Sequence, residues 1–277
     1  MNLEEIENCF VLSARLGDCI LGSIVFNKLV QQTNQPWAWA TRVPYLPIVK
    51  EFTPMGVELL DDFAESSGAA KVLLKARFAN VVCTTPMWYW DEWAKGDVYL
   101  VDLVARKAQV ELKPEDRVIV LNPTSSDCQV VSELLGDIQE YVVVSGSPHY
   151  SGVGIKDWPM HVRIDLVERL CKQGLTVVVV GGSDAYNMGG LFLGGRTTYL
   201  QTVEVIKRAK LYIGNCCGTS WLACAARSTP KIIASNFAPK PGKEGYAGCL
   251  FDNNIVDVDW RDSSDKILNI AKEHEWL

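Results

Sequence analysis

The chain has little histidine, no CxxC pair, no surplus of positive charge and no long apolar run, and each shortage removes a class of function. Its three histidines, His149, His161 and His274, lack a cysteine or second histidine at ligand spacing, which disfavours a zinc centre. Lysine and arginine total 27 against 33 aspartates and glutamates, for a net charge of −6 and a pI near 5.2. That balance lacks the broad basic field with which a protein grips nucleic acid, so any anionic ligand must be met by specific groups. The opening MNLEEIENCF is acidic, with no basic start ahead of an apolar core, and no stretch reaches the roughly 20 apolar residues of a membrane span. A cytoplasmic location is expected. Neither GxxxxGK[ST] nor a GxGxxG after the first strand is present, which argues against a P-loop NTPase and a Rossmann dehydrogenase.

What is present is apolar material, 48% of 277 residues, enough for one large or two modest domains. The nine cysteines are odd in number and sit mostly in apolar or small-residue segments, the pattern of reduced thiols. Two of them, Cys216 and Cys217, are adjacent in LYIGNCCGTSWLACAA, residues 211–226. There an apolar run stops at Gly214-Asn215, turns, and becomes a small-residue helix, and this strand, turn and helix is the shape of a phosphate site.

Hydrophobic periodicity organises the rest. Strands are expected at 10–14, 37–41, 79–83, 117–121, 141–144, 175–180, 211–213 and 231–234. Helices are expected at 19–32, 97–109, 130–138, 158–173, 200–209, 219–226 and 263–274, with 57–66 and 69–75 helical or mixed. Strands separated by helices of this length imply parallel sheets with covered faces, and a domain boundary is expected at 137/138.

Four turns at strand ends could carry chemistry. Arg15-Leu16-Gly17-Asp18 puts a carboxylate at the mouth of the first strand, placed either to take a proton from a hydroxyl or to cap the first helix. Ser145-Gly146-Ser147-Pro148, followed by Lys156-Asp157-Trp158-Pro159, offers small residues for close backbone approach to phosphate and a lysine beside a helix start. Gly181-Gly182-Ser183-Asp184 is a flexible turn, and Cys217-Gly218-Thr219-Ser220 can present backbone N–H groups and two hydroxyls to a diphosphate. The aromatic run 88–93, with Trp88 and Trp90, suits a sugar ring or base, or ordinary packing. Asp257-Val258-Asp259 reads as a loop boundary rather than a metal-binding acidic pair.

In their order, these pieces resemble the bacterial heptosyltransferases, glycosyltransferase family nine. Arg15-Leu16-Gly17-Asp18 resembles that family's (R/M)xGD turn, Lys156-Asp157-Trp158-Pro159 its KxWP signature, and Leu175 to Gly182 its valine-rich strand ending in glycines. Thr198 to Lys210 resembles a family helix, and the stretch 211–226 falls on its G-x-D-(S/T)-G-x-x-H-L-A-A-A segment. Cys216 stands at the family's aspartate, Cys217 at its Ser/Thr and Trp221 at its histidine.

The resemblance implies an α/β chain of GT-B type: two Rossmann-like lobes, 1–137 for the acceptor and 138–277 for the nucleotide sugar, with parallel sheets facing an interdomain cleft. It implies an inverting, metal-independent glycosyltransferase with no cofactor beyond its nucleotide-diphosphate-sugar co-substrate. Asp18 would be the base. Ser145, Gly146, Ser147, Lys156, Gly182, Thr198, Cys217, Gly218 and Thr219 would hold the donor, and Arg15, Trp88 and Trp90 the acceptor. A surface-glycan or lipopolysaccharide-type hydroxyl is the expected acceptor. A modified base in phage DNA is the disfavoured one, and an inactive nucleotide-binding or scaffold protein is the non-catalytic alternative.

Overall fold

The computed structural model describes residues 5–12, 15–59, 74–84, 99–148, 158–235, 246–259 and 261–277. The chain divides into two compact units, Met1–Val120 and Leu121–Leu277. In the first, β1 (Asn8–Val11), α1 (Leu16–Thr33), β2 (Trp37–Arg42), a 3₁₀ turn (Val43–Tyr45), α2 (Leu46–Val49), β3 (Gly56–Leu59), β4 (Asn80–Cys83) and α3 (Leu100–Ala108) follow one another. The sheet order is β3-β2-β1-β4, and every pairing is parallel. Helix α1 buries residues on most of its circumference, including Cys19, Ile20, Ile24 and Val25. It lies so close to the end of β1 that a Cβ on Gly22 would collide with Leu12. It ends at Asn34, whose φ of 50° is the left-handed conformation that closes a helix.

The second unit contains α4 (Ser125–Leu135), β5 (Tyr141–Ser145), α5 (Met160–Lys172), β6 (Thr176–Val180), β7 (Leu191–Phe192), α6 (Tyr199–Lys207) and β8 (Leu211–Asn215). It continues with α7 (Gly218–Ala225), β9 (Lys231–Ser235), α8 (Tyr246–Leu250), β10 (Ile255–Asp259) and α9 (Ser264–Glu273). Six parallel strands lie in the order β10-β9-β8-β5-β6-β7. The runs YVVVS and TVVVV are near-continuously apolar because both faces of a parallel sheet are covered. On one face Val142, Val144, Val177, Val179, Leu211, Ile213 and Ile232 pack against Leu166 and Leu170 of α5 and Ile267 and Leu268 of α9.

Helix α4 belongs to the second unit, whereas the expected boundary at 137/138 left it in the first. It packs on α6, and Arg208 at the end of α6 donates to the Ser132 hydroxyl at 2.9 Å and the Cys128 carbonyl at 3.0 Å. Residues 57–59, part of the 57–66 segment expected to be helical or mixed, belong to strand β3 because β2 offers a free edge to pair with. Residues 117–121 bury Ile119 and Leu121 and expose Val120, yet pair with no strand among the described residues, so alternating burial here marks an extended segment without a ladder. The sequence expectations omitted β3, β7 and β10. Strand β10 carries two aspartates that an edge position tolerates.

Candidate functional site

A doubly wound parallel sheet places its ligand crevice outside the carboxyl ends of the two neighbouring strands from which the chain winds outward in opposite directions. In the second unit those strands are β5 and β8. Strand β5 delivers Ser145, Gly146 and Ser147 to that point, and β8 delivers Asn215, Cys216 and Cys217 ahead of α7. Cys217, extended at φ −148° and ψ 176°, is the residue from which α7 starts, and the opening N–H groups of a helix lack partners within it.

Side chains lock the two turns together. The hydroxyls of Ser147 and Thr219 bond to each other at 2.8 Å, and the Ser145 hydroxyl lies 3.6 Å from the Cys217 thiol. The Ser147 N–H donates to the Ser145 hydroxyl at 3.3 Å. Ser220 donates to the Asn215 carbonyl at 2.5 Å and bonds the Tyr212 hydroxyl at 2.9 Å, a phenol whose pKa burial pushes far up. Gly146 has to be glycine: a Cβ would come 2.8 Å from the Tyr186 carbonyl oxygen and 2.9 Å from Val179. The Tyr186 N–H donates to the Gly146 carbonyl at 2.9 Å, so the turn is fixed from behind as well.

Of the residues expected to hold a donor, Ser145, Gly146, Ser147, Cys217, Gly218 and Thr219 therefore meet at one place. Gly182 follows Gly181, where a Cβ would come 2.8 Å from the Ser147 hydroxyl, so it borders the same turn. Thr198 caps α6, accepting from the Gln201 N–H at 3.2 Å, and no described contact joins it to the cradle. Lys156, Trp88 and Trp90 lie outside the described residues.

The paired cysteines face different partners. Cys216 accepts a hydrogen bond from the Tyr246 hydroxyl at 3.3 Å, while Cys217 turns to Ser145 and Ser220. Tyr246 stacks on Trp221 with ring centroids 4.1 Å apart, and burial pushes its phenol far up. None of the nine cysteines, all among the described residues, is in a disulfide. Cys216-Cys217 is thus the turn itself.

Asp257 and Asp259 also diverge. Asp257 accepts from the N–H groups of Tyr246 at 3.0 Å and Ala247 at 2.9 Å, and its carboxyl is nevertheless held above the ordinary range because burial outweighs those bonds. Asp259 pairs with Arg261 at 2.5 Å, and that guanidinium lowers its pKa to about 2. Among the described residues no group of three or more histidine, cysteine or acidic side chains could hold a metal ion.

In the first unit the chain winds outward from β1 and β4. Asp18, third residue of α1, follows β1, and its carboxylate accepts from the Arg15 N–H at 3.0 Å across the helix start. It is half-buried and Arg15 is exposed. Burial raises the Tyr45 pKa, opposed by Arg42 and Arg15 and reinforced by Cys19 and Asp18, so these side chains share one electrostatic neighbourhood at the ends of β1 and β2.

Sequence reasoning missed Asn215, the last residue of β8. It is fully buried, and neither its Nδ2 nor its Oδ1 has a hydrogen-bond partner. The only signal was a polar residue closing an otherwise apolar strand run.

No protein-family model matches the chain, and no curated protein sequence does. Solved structures do match. The Escherichia coli ADP-heptose lipopolysaccharide heptosyltransferase II aligns over 98% of this chain and 100% of its own at 14% identity, TM-score 0.67. A glycosyl transferase family 9 protein from Veillonella parvula aligns over 98% and 92% at 12% identity, TM-score 0.59. The Methanocaldococcus jannaschii UDP-GlcNAc 2-epimerase, solved with UDP-GlcNAc and UDP, aligns over 96% and 91% at 12% identity, TM-score 0.51. The expected architecture of two parallel-sheet α/β lobes of GT-B type holds. Transferases and an epimerase share it, so the chemistry has to be argued from the residues.

Proposed function

We propose that the chain is a glycosyltransferase that moves a sugar from a nucleotide-diphosphate sugar to an acceptor hydroxyl, with inversion and without a metal. The observation that carries this reading is the interlocked cradle at the ends of β5 and β8, where Ser145, Ser147 and Thr219 gather beside the start of α7. Hydroxyls and helix N–H groups at such a point suit the oxygens of a diphosphate, whose charge grows as the leaving group departs.

Asp18 is the proposed base. Its carboxylate takes the proton of the acceptor hydroxyl, and that oxygen bonds to the anomeric carbon. The bond from that carbon to the diphosphate oxygen breaks on the opposite face, and its electron pair leaves with the nucleoside diphosphate. The cradle and Lys156 receive that charge in place of a metal ion. Arg15, with Trp88 and Trp90, is proposed to contact the acceptor. The lobe assignment, acceptor on the first unit (Met1–Val120) and donor on the second (Leu121–Leu277), and the cytoplasmic location are part of the same proposal.

A non-catalytic nucleotide binder is the second reading. It is favoured by Cys216 and Trp221, whose partner is Tyr246. One experiment separates the two. The purified protein is screened by calorimetry against ADP-, UDP-, GDP- and CMP-linked sugars, and the bound donor is then incubated with hydroxyl acceptors while release of nucleoside diphosphate is followed. Binding with release supports transfer, binding without release supports the binder, and no binding to any nucleotide removes both.

A further inference from the structure

The connection from β5 to α5 runs between Ser147 and Trp158, and one side chain ties both of its ends. Arg163, in the first turns of α5, is 1% exposed. Its Nε donates to the Trp158 carbonyl at 2.9 Å and its Nη1 to the Ser147 carbonyl at 2.9 Å, with the guanidinium carbon 5.8 Å from the centre of the Trp158 ring. A guanidinium never loses its proton, so burying one is costly and is retained where its fork of donors meets fixed acceptors.

These two acceptors are backbone carbonyls at the boundaries of the segment that carries Lys156. The Ser147 carbonyl is the more telling of the two. Facing the crevice, its negative end would repel an anionic ligand; bonded to Arg163, it is drawn inward. A permanent positive charge then stands directly behind the turn whose hydroxyl meets Thr219. In a chain of net charge −6 that local field matters to an anion.

We infer that Arg163 is a positioning residue for the donor diphosphate: it clasps the two ends of the β5–α5 connection and sets the electrostatic backing of the Ser145–Ser147 turn without touching the ligand. The inference rests on the proposed donor site and adds that the diphosphate, not the base or sugar, is the part Arg163 serves.

Two measurements test it. Arg163→Met keeps an unbranched stem and removes both fork and charge; Arg163→Lys keeps the charge and loses the fork. The first measurement needs no ligand. Hydrogen exchange at the Gly146 and Tyr186 amides, which bond Val180 and Gly146, is expected to quicken about tenfold in both variants while amides in α9 are unchanged. Unchanged exchange at the turn overturns the clasp. The second is calorimetry with UDP, ADP and GDP beside uridine, adenosine and guanosine. Arg163→Met is expected to lose about tenfold in affinity for the diphosphate of the preferred base and nothing for its nucleoside, with part of the loss restored in Arg163→Lys.

Equal losses for nucleoside and diphosphate, or no loss, overturn the electrostatic role. Should Arg163→Met not fold, the lysine variant carries both measurements: exchange quickened at the turn and a smaller, diphosphate-only loss support the inference, and their absence overturns it. A wild-type protein that binds no nucleotide overturns the donor-site reading and the diphosphate role with it, while the exchange result still decides the clasp.

Discussion

The two units use the same sheet architecture and hold their strand-end groups in different ways. In the second, Ser147 and Thr219 are 72 residues apart and share a 2.8 Å bond, Ser145 and Cys217 are equally distant in sequence, and Arg163 ties the turn from behind. In the first, the Arg15 N–H, three residues earlier in the chain, donates to the Asp18 carboxylate, which stays half-buried. A cradle fixed from several chain segments is preorganised for a ligand of constant shape, as a diphosphate is. A half-buried carboxylate at a helix start can keep solvent access and adjust to a proton donor brought by another molecule. The difference matches the division of labour proposed for the two units.

Three substitutions would break or sharpen that contrast. The largest effect is expected at Asp18. Asp18→Asn preserves the shape and removes the base, so the transfer rate should fall by about 10²- to 10⁴-fold while donor affinity stays within about twofold. Single-turnover transfer beside calorimetry measures the two quantities, and an unaltered rate would remove Asp18 as the base. A smaller effect is expected in the cradle. Thr219→Val takes away the hydroxyl that meets Ser147 and should lower donor affinity by about tenfold, with little change in the rate at saturation. A drop in saturated rate with affinity intact would place Thr219 on the reacting bond instead.

The smallest effect is expected to be favourable. Asn215 is sealed with both amide atoms unpartnered, and such a group costs about 1–3 kcal/mol relative to a bonded one. Asn215→Leu, close in size and apolar, should raise the free energy of unfolding in urea by about 1 kcal/mol. A loss of stability would mean that an ordered internal water already bonds the amide.

Much of the fold was legible in the sequence because its signals are short-range. The valine runs at 141–144 and 175–180 and the small-residue start of α7 each lie within a few residues and became the expected strands and helix, whereas the run at 211–213 continues as strand through Gly214-Asn215, where a turn was expected. The Asp18 carboxylate was expected at a strand mouth, and it is there, in the first turn of α1. Strands β3 and β10 escaped notice because their identity depends on a neighbour: Gly56–Leu59 is a strand because β2 lies beside it, and Ile255–Asp259 because β9 does. The alternating pattern at 117–121 misled for the converse reason, since alternate burial does not require a paired edge.

The sequence by itself determined the alternation of strands and helices, the parallel sheets and the small residues at the strand ends, because periodicity and turn chemistry act over one or two turns of chain. Tertiary structure alone decided that Ser147 meets Thr219, that Cys216 turns to Tyr246 and Cys217 to Ser145, that Asp257 caps a helix, and that Arg163 is buried behind the turn. Each of these pairings depends on strand order and register, which bring distant segments together and leave no mark in any local window.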